Sequence, residues 1–255
     1  MHAPVEIADI AADILARVRD RSPRVHCITS TISQDYMASL LLAAGALPSM
    51  TVSPNEIVTF LASAGALLVD LGTFDAERRT AIDIALGAVA TARMPWVLDP
   101  DFIESSPGRA QFARELLARS PTVVRLDPTA FAPLFGGDPI AEAAVRVARA
   151  CATVVAVTSG TDIVTDGRRS AGIGNGHPLM GLVPAMGRAA SALVCAALAV
   201  ETDAWHASIA ALAALGVASE VAGQMARGPG SFASAVIDAL HGLDRATLRA
   251  RIKVS

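Results

Sequence analysis

ALLVDLGTFDAERRTAIDIALGAVATARMPWVLDP, residues 66–100, contains two short apolar runs on either side of a helical segment. The runs ALLVDLGT (66–73) and PWVLDP (95–100) are almost continuously apolar and end in polar or glycine residues. The segment between them, DAERRTAIDIALGAVATAR, is helical in character, and we expect Asp75 to be its N-cap. Apolar strands that are joined through a helix predict a parallel sheet covered by helices on both faces.

The same alternation of strand and helix extends along the rest of the chain. Residues 161–177 are interpreted as a hairpin, because Asp166-Gly167 and Asn175-Gly176 are strong turn dipeptides. The remaining expected strands are 24–29, 121–128 and 153–160, and the remaining expected helices are 1–20, 34–44, 108–119, a short segment after 128, 138–152 and most of the chain from Arg188 onward.

Composition limits the class of protein. Of the 255 residues, 53% are hydrophobic and 18% are charged, which excludes a disordered chain. There is no linker, low-complexity tract or internal repeat, so residues 1–255 are predicted to form one three-layer α/β domain with a mainly parallel central sheet. A formal net charge of −3 gives no basic field, so no nucleic acid partner is expected.

The expected location of the protein is the cytoplasm. The longest uninterrupted apolar run, Ala192–Val200, is shorter than the roughly 20 residues that span a bilayer, so no membrane partner is expected. Residues 1–20 have the pattern of an amphipathic helix and lack the basic start and apolar centre of a signal peptide. The three cysteines include no Cys-x-x-Cys pair, which favours a reducing compartment and gives no support for a zinc site.

Ligands of open α/β sheets bind outside the carboxyl ends of the strands. Arg125 follows the apolar run TVV, where a charged residue needs a partner, so we expect it to contact an anion. Asp99 also ends an apolar strand at this edge and is a second candidate. The residues at the predicted strand ends are Thr29-Ser30, Gly72-Thr73, Asp99-Pro100-Asp101, Arg125-Leu126-Asp127 and Thr158-Ser159-Gly160.

GLVPAMGRAAS, residues 181–191, leads from a small-residue loop into an Ala-rich helix. A helix N-terminus attracts anions through its unpaired N–H groups and its dipole. Arg188 is a cation at this position, where the dipole disfavours it by roughly 0.3–1 kcal/mol. Two hypotheses account for Arg188: it clamps an anion such as a phosphate, or it pairs with a nearby acid such as Asp99 or Asp101.

The chain contains, in this order, RSPRVHCITS, AAGALPSM, GALLVDLGT, WVLDP, VVAVTSGTD, GNGHPLM and ARGPGSF. This order is that of hydroxyethylthiazole kinases, and the chain resembles this family from about Val18 to its C-terminus. The resemblance implies a ribokinase-like fold and ATP-dependent phosphorylation of the hydroxyethyl side chain of a thiazole alcohol in thiamin salvage. It further implies ATP and Mg²⁺ as cofactors, and a homotrimer with the thiazole near a subunit interface.

Four residues at matching positions are candidates for the site that the resemblance implies. Met50, which closes GALPSM, matches a methionine that contacts the substrate. Arg125 matches an arginine that contacts the nucleotide, and Thr158 matches a threonine at the nucleotide phosphates. Asp99 matches the aspartate of the LDP segment near the phosphate site, and it is a catalytic candidate.

The loop that carries the family's chemistry differs in this chain. The family's Thr-Gly-x-Gly-Cys is PAMGR (184–188) here, so the resemblance assigns Ala185 to substrate binding and Met186 and Gly187 to the anion hole. Arg188 occupies the position of the cysteine that takes the substrate hydroxyl proton. Its guanidinium stays protonated at any relevant pH, so it cannot act as a base.

Three other segments depart from the family pattern. The family's Thr-Asn-Asn after the first strand is TST (29–31) here, and its next Asn falls near Gln34. The family's VLDPVGAG is VLDPDFIE (97–104), so both glycines are lost. The Glu of Arg-Gly-Asn-x-x-Glu, which helps to organise magnesium, is Ala130, and Asp127 is the remaining candidate for a metal ligand.

Three functions remain open at this point. The chain is a kinase for a small thiazole-type alcohol, a catalytically impaired homologue that binds a small molecule or nucleotide, or a kinase for a different small alcohol. The four matched positions favour a kinase, whereas the lost glycines and cysteine favour a binding protein. The altered polar residues at 30–35 favour a different alcohol. In a kinase, proton abstraction would fall to Asp99, Asp101 or water.

Overall fold

A computed structural model describes residues 4–255, with side chains from residue 6 onward. The strands of its central sheet are β1 (Arg24–Ile28), β2 (Leu47–Ser49), β3 (Ala66–Asp70), β4 (Trp96–Asp99), β5 (Val123–Leu126), β6 (Val154–Val157), β7 (Asp162–Thr165) and β8 (Ser170–Ile173). They lie in the order β2-β1-β3-β4-β5-β6-β7-β8. The first six in this order are parallel, and β7 and β8 continue the sheet as an antiparallel hairpin. The mainly parallel sheet predicted from the sequence is confirmed.

Helices cover both faces of the sheet and complete three layers. They are α1 (Pro4–Arg21), α2 (Thr31–Ala44), α3 (Ile57–Leu61), α4 (Ala76–Ala92), α5 (Pro107–Leu117), α6 (Pro128–Phe135), α7 (Ala141–Cys151), α8 (Met186–Leu198), α9 (Ala204–Gly223), α10 (Pro229–His241) and α11 (Arg245–Arg251). Helices α1, α2, α8, α9 and α10 pack in one apolar cluster, and α3 to α7 pack in a second cluster on the opposite face.

Strand β3 explains why the predicted strands are apolar at every position. Leu68 belongs to the first cluster, whereas Leu67 and Val69 belong to the second, and all three side chains are fully buried. Successive side chains of a strand point to opposite faces of the sheet. A central strand with helices on both sides therefore needs apolar residues without interruption.

The start of α4 fixes the loop that follows β3. Asp75 accepts a hydrogen bond from the Arg78 N–H at 2.8 Å, so the predicted N-cap is confirmed. The Arg78 side chain also donates from Nε to the Thr29 carbonyl at 3.2 Å. This contact joins the first turn of α4 to the end of β1, and it holds two loops together at the carboxyl edge of the sheet.

The first part of the chain contains elements that the sequence did not predict. Helix α2 begins at Thr31 instead of Gln34, because Ser30 is its extended N-cap residue. Strand β2 and helix α3 are too short to produce a recognisable period. Strand β2 lies at the open edge of the sheet beside β1.

The region 161–177 forms one hairpin with only one of the two predicted turns. The turn between β7 and β8 contains Asp166-Gly167, with Gly167 at φ 84°. The prediction for Asn175-Gly176 is wrong, because Asn175 lies buried beyond β8. Its side-chain amide donates to Glu220 Oε1 at 3.0 Å and to the Arg251 carbonyl at 2.8 Å. An asparagine with these contacts serves tertiary packing rather than a turn.

Helix α9 is long and apolar enough to cross a membrane by length and composition alone. The search for uninterrupted apolar runs in the sequence did not find this helix, because isolated polar residues interrupt it. In the fold, 78% of its 18-residue apolar window is buried. It contacts α1, α8 and α10 and has the position of a core helix.

We expect Leu68→Ala to lower the free energy of unfolding by about 2–5 kcal/mol, because the substitution removes apolar contacts and leaves a cavity in a fully buried strand. Urea denaturation followed by circular dichroism measures the effect. Leu42→Ala is the matched control, because Leu42 is 56% exposed on α2. Equal losses in the two variants would contradict the assignment of β3 to the centre of the core.

Candidate active site

The carboxyl edge of the sheet brings two buried carboxylates side by side. Asp70 ends β3 and Asp99 ends β4, and the two residues are register partners in the parallel pair. Asp70 is fully buried and Asp99 is 2% exposed. Buried carboxylates require hydrogen-bond donors or cations, and residues from four surrounding segments supply them here.

Arg125 and Asp99 form the first ion pair of the site. Arg125 donates from Nη1 to Asp99 Oδ2 at 3.3 Å and from Nη2 to Thr158 Oγ1 at 2.5 Å. Ser191 of α8 donates to the same Asp99 oxygen at 2.6 Å. Three residues identified from the sequence, Asp99, Arg125 and Thr158, are thus brought into direct contact. The Arg125 Nε is buried and has no hydrogen-bond partner among residues 4–255.

Asp70 is held by groups from two loops. Its Oδ2 accepts from Thr29 Oγ1 at 2.5 Å and from the Ser30 N–H at 3.3 Å, and its Oδ1 accepts from the Gly72 N–H at 2.7 Å. Burial, and after it the charge of Asp99, raise the pKa of Asp70 to about 7. The hydrogen bond from Thr29 opposes this shift.

Arg188 forms the second cationic centre, adjacent to the first. Its Nη2 donates to Asp101 Oδ2, its Nη1 donates to Ser33 Oγ at 2.9 Å, and its Nε lies 3.5 Å from Asp70 Oδ1. Of the two acids considered from the sequence, Asp101 pairs with Arg188, and Asp99 pairs with Arg125 instead. The carboxylates near the first turn of α8 offset the unfavourable interaction of the arginine with the helix dipole.

The loop before α8 keeps a backbone conformation that favours glycine. Ala185 is the N-cap residue of α8 and has φ 68°. Phe102, at the other lost glycine position after β4, has φ 58°. A residue with a side chain in this region costs about 1–2 kcal/mol. Both turns therefore hold a left-handed backbone with a non-glycine residue at the position in question.

The first turn of α8 meets Arg125. Met186 is buried in the core, and its N–H donates to the Val183 carbonyl at 3.3 Å. A Cβ at Gly187 would lie 2.7 Å from Arg125 Nη2, so a side chain there would displace the guanidinium. Of the two residues expected to form the anion hole, Gly187 is the one that lies against a cation of the site.

A cavity of about 490 Å³ opens beside Arg125, a size typical of small-molecule sites. Arg125, Thr158 and Asp162 give it a polar wall, and Leu212 and Leu215 of α9 give it an apolar one. Burial raises the pKa of Asp162 to about 6, and its carboxylate accepts from the Ser159 N–H at 2.8 Å. The other lining residues are 159–160, 174–178, 180–181, 186–187, 190 and 216.

Met50 lies on the other side of the site from this cavity. It is half-buried and follows β2, and its carbonyl accepts from Gln34 Nε2 at 3.4 Å. Gln34 is the neighbour in sequence of Ser33, which binds Arg188. The structure thus links Met50 to the ion pairs through α2, and it brings Met50 into no direct contact with Arg125 or Thr158.

The carboxylates do not form a set that fits a metal ion held by the protein. Asp127, the metal candidate from the sequence, is the N-cap of α6, and its Oδ1 accepts from Thr129 N, Thr129 Oγ1 and Ala130 N. Asp99 accepts a hydrogen bond from Arg125 and Asp101 accepts one from Arg188, so an arginine stands where a metal ion would bind each carboxylate. Within residues 4–255, no three metal-ligating side chains come close enough to hold a metal.

The chain matches a known protein family over most of its length. The sequence profile of the hydroxyethylthiazole kinase family matches residues 15–246. The chain belongs to this family. A probable hydroxyethylthiazole kinase of Agrobacterium fabrum is 42% identical over 231 residues, which are 90% of this chain and 88% of that protein.

Solved structures agree with the hydroxyethylthiazole kinase family at the level of the fold. A hydroxyethylthiazole kinase protein of Pyrococcus horikoshii OT3 has a TM-score of 0.93 and 32% identity, covering 97% of this chain and 98% of that one. A ribokinase-like superfamily protein of Enterococcus faecalis V583 has a TM-score of 0.68 at 11% identity, covering 93% and 95%. The expected ribokinase-like fold is confirmed.

The sequence did not identify several polar residues of this family member's site. Asp70, Ser33 and Ser191 are all fully buried and bind the ion pairs. Asp70 carried a usable signal, because it ends the apolar run ALLV just as Asp99 ends WVL. Ser33 and Ser191 lie inside helical patterns, where an isolated serine gives no indication of its partner.

We expect Asp70→Asn to flatten the decrease in stability between pH 4 and pH 7. The pKa of Asp70 is about 7 in the folded protein and about 3.9 in the unfolded chain. As pH rises through this window, the unfolded chain loses its proton first, so ionisation of Asp70 lowers the free energy of unfolding. Urea midpoints at several pH values measure the difference between variant and wild type.

The control is Asp35→Asn, at an exposed position on α2, which should leave the pH profile of stability unchanged. An unchanged profile for Asp70→Asn would refute the raised pKa of Asp70.

We expect Gly187→Ala to weaken ADP binding by about tenfold, since displacement of Arg125 removes one charge-assisted hydrogen bond. Movement of Arg125 away from the buried Asp99 should also lower the melting temperature, so the affinity is measured well below it. Isothermal titration calorimetry measures the affinity. Gly108→Ala is the matched control, because Gly108 is also the second residue of its helix and a Cβ there meets nothing within 4 Å. Equal affinities of the two variants would refute the prediction.

Proposed function

We propose that this protein transfers the terminal phosphoryl group of ATP to the hydroxyl of hydroxyethylthiazole or a close thiazole-type alcohol. Membership of the hydroxyethylthiazole kinase family supports a phosphotransferase that uses a nucleotide and a metal ion. The observation that carries the proposal is the position of Arg125. It lies at the mouth of a ligand-sized cavity, between Asp99 and Thr158 and against the first turn of α8.

Phosphoryl transfer depends on positioning and on neutralising the charge of the phosphates. In the proposed complex, the base and ribose of ATP occupy the cavity between the polar wall and α9. The phosphates extend toward Arg125 and the start of α8, where a guanidinium and first-turn N–H groups attract anions. Asp99 orients Arg125, and Thr158 fixes its second nitrogen.

Mg²⁺ enters this proposal as part of the nucleotide. ATP carries Mg²⁺ on its own phosphate oxygens, and magnesium in nucleotide sites is commonly held mainly by phosphates and water. Asp99 and Asp101 are engaged by arginines, and Asp127 caps a helix. No step in the proposed reaction is therefore assigned to a metal bound by the protein alone.

The acceptor alcohol is proposed to bind on the side of Met50 and Ala185. Gln34 contributes an amide whose contact with the Met50 carbonyl is long, at 3.4 Å. We also propose a homotrimer in the cytoplasm with a role in thiamin salvage, as expected from the resemblance. The exposed Leu47 on edge strand β2 and the free thiols of the cysteines are compatible with this proposal. Light scattering that gives the mass of a single chain would refute the trimer.

A second candidate is a nucleotide-binding homologue without turnover. One specific observation favours it: the family's base position holds Arg188, and Asp101 and Ser33 restrain the side chain. This candidate predicts binding of ADP and ATP in the same cavity with no phosphorylated product. The two candidate functions thus predict the same affinity for ADP and ATP, and they differ only in whether a phosphorylated product forms.

Calorimetry with ADP and an ADP-release assay with hydroxyethylthiazole and magnesium-ATP separate the candidates. We expect binding, turnover, and a loss of at least about tenfold in ADP affinity for Arg125→Met, because a charged hydrogen bond to phosphate is lost. Arg119→Met, at an exposed position two residues after α5, is the control. Binding without product would favour the second candidate, and product only with another small alcohol would replace the thiazole. Absence of both binding and product would refute both candidates.

A further inference from the structure

Two departures from the family pattern contact each other. Position 101 is valine in the family's VLDPVGAG and Asp in this chain, and position 188 is cysteine in the family's loop and Arg here. Arg188 donates from Nη2 to Asp101 Oδ2. Arg188, which stands at the position of the family's base, therefore binds a carboxylate, that of Asp101, which the family pattern lacks.

Asp101 is oriented by three independent contacts. Its N–H donates to the Asp99 carbonyl at 2.9 Å, and its carbonyl accepts from Arg109 Nη1 at 3.3 Å. The bond from Arg188 fixes its carboxylate. Phe102, in its left-handed conformation, presents its ring to both arginines, with the guanidinium carbons 5.2 Å and 5.7 Å from the ring centroid.

The second carboxylate oxygen of Asp101 remains available. No donor from residues 4–255 reaches Oδ1, and the side chain is 18% exposed. Burial, and then the charge of Asp99, raise the pKa of Asp101, while Arg188 and Arg125 oppose the shift. A raised pKa brings a carboxylate closer to the range in which it accepts a proton effectively.

The pair lies between the two halves of the proposed site. Arg188 directly follows Gly187, which touches Arg125 at the nucleotide cavity. Through Ser33, the same side chain reaches α2, where Gln34 contacts Met50 on the acceptor side. A group at this junction can face the acceptor hydroxyl and the terminal phosphate together.

We propose that Asp101 is the general base of the phosphoryl transfer and that Arg188 is a positioning residue which holds it. This inference rests on the proposed kinase function. The acceptor O–H bond breaks and its proton passes to the Asp101 carboxylate, while the oxygen forms a bond to the terminal phosphorus of ATP. The bond from that phosphorus to the bridging oxygen breaks, and ADP leaves with the electron pair. Asp101 then returns its proton to water.

The test compares Asp101→Asn with wild type in kcat and in ADP affinity, with hydroxyethylthiazole and magnesium-ATP as substrates. Loss of a general base should lower kcat by about 100-fold or more, and the ADP dissociation constant should stay within about twofold, since Asp101 does not line the nucleotide cavity. Glu104→Gln is the matched control, because it removes one exposed carboxylate from the same loop. Its kcat should match that of wild type.

Several outcomes would overturn the assignment. If Asp101→Asn keeps a kcat within about threefold of wild type, or if Glu104→Gln loses as much, Asp101 is not the base. If Asp101→Asn lowers ADP affinity, melting temperature and kcat together, the variant Asp101→Glu distinguishes loss of the base from loss of structure, because it restores a carboxylate. Turnover of Asp101→Glu no higher than that of Asp101→Asn then refutes the proposal. A wild-type protein without any product refutes the kinase function itself, whereas an active Asp101→Asn refutes only the base.

Discussion

Two carboxylates buried at adjacent strand ends impose the constraint on which the rest of the site depends. Asp70 and Asp99 are register partners, and neither reaches water. A buried charge that loses its partner costs about 3–5 kcal/mol. Arg125 from the next strand and Ser191 from α8 hold Asp99, and Arg188 from the same helix approaches Asp70. The position of α8, and with it the wall of the cavity, is therefore tied to the charges of the sheet edge.

The sheet could be predicted because its strands are buried on both faces. Such strands are apolar at every position, and the helices between them carry caps such as Asp75. Short elements could not be predicted, since three residues in β2 and five in α3 are too few to establish a period. The role of Asn175 depends on α9 and the chain end, which are distant in sequence.

The candidate site could be predicted only where topology alone brings residues together. Parallel strands share a carboxyl edge, so Asp99, Arg125 and Thr158 were expected to be neighbours, and they are in contact. The choice between Asp99 and Asp101 as the partner of Arg188 depends on how far α8 lies from each strand end. The spacing of residues in the sequence does not give this distance. For the same reason, the sequence does not identify Ser33 and Ser191 as residues of the site.

The left-handed loops at Ala185 and Phe102 have a consequence for how this fold is recognised. Their paths are imposed by the elements they connect, so a modest local strain is tolerated at both positions. Glycine makes such a path easier but does not create it. A search that required glycines at these two turns would discard chains whose loops run the same way. In this chain both turns keep a left-handed backbone with alanine and phenylalanine in place, so glycine is not a requirement for either turn.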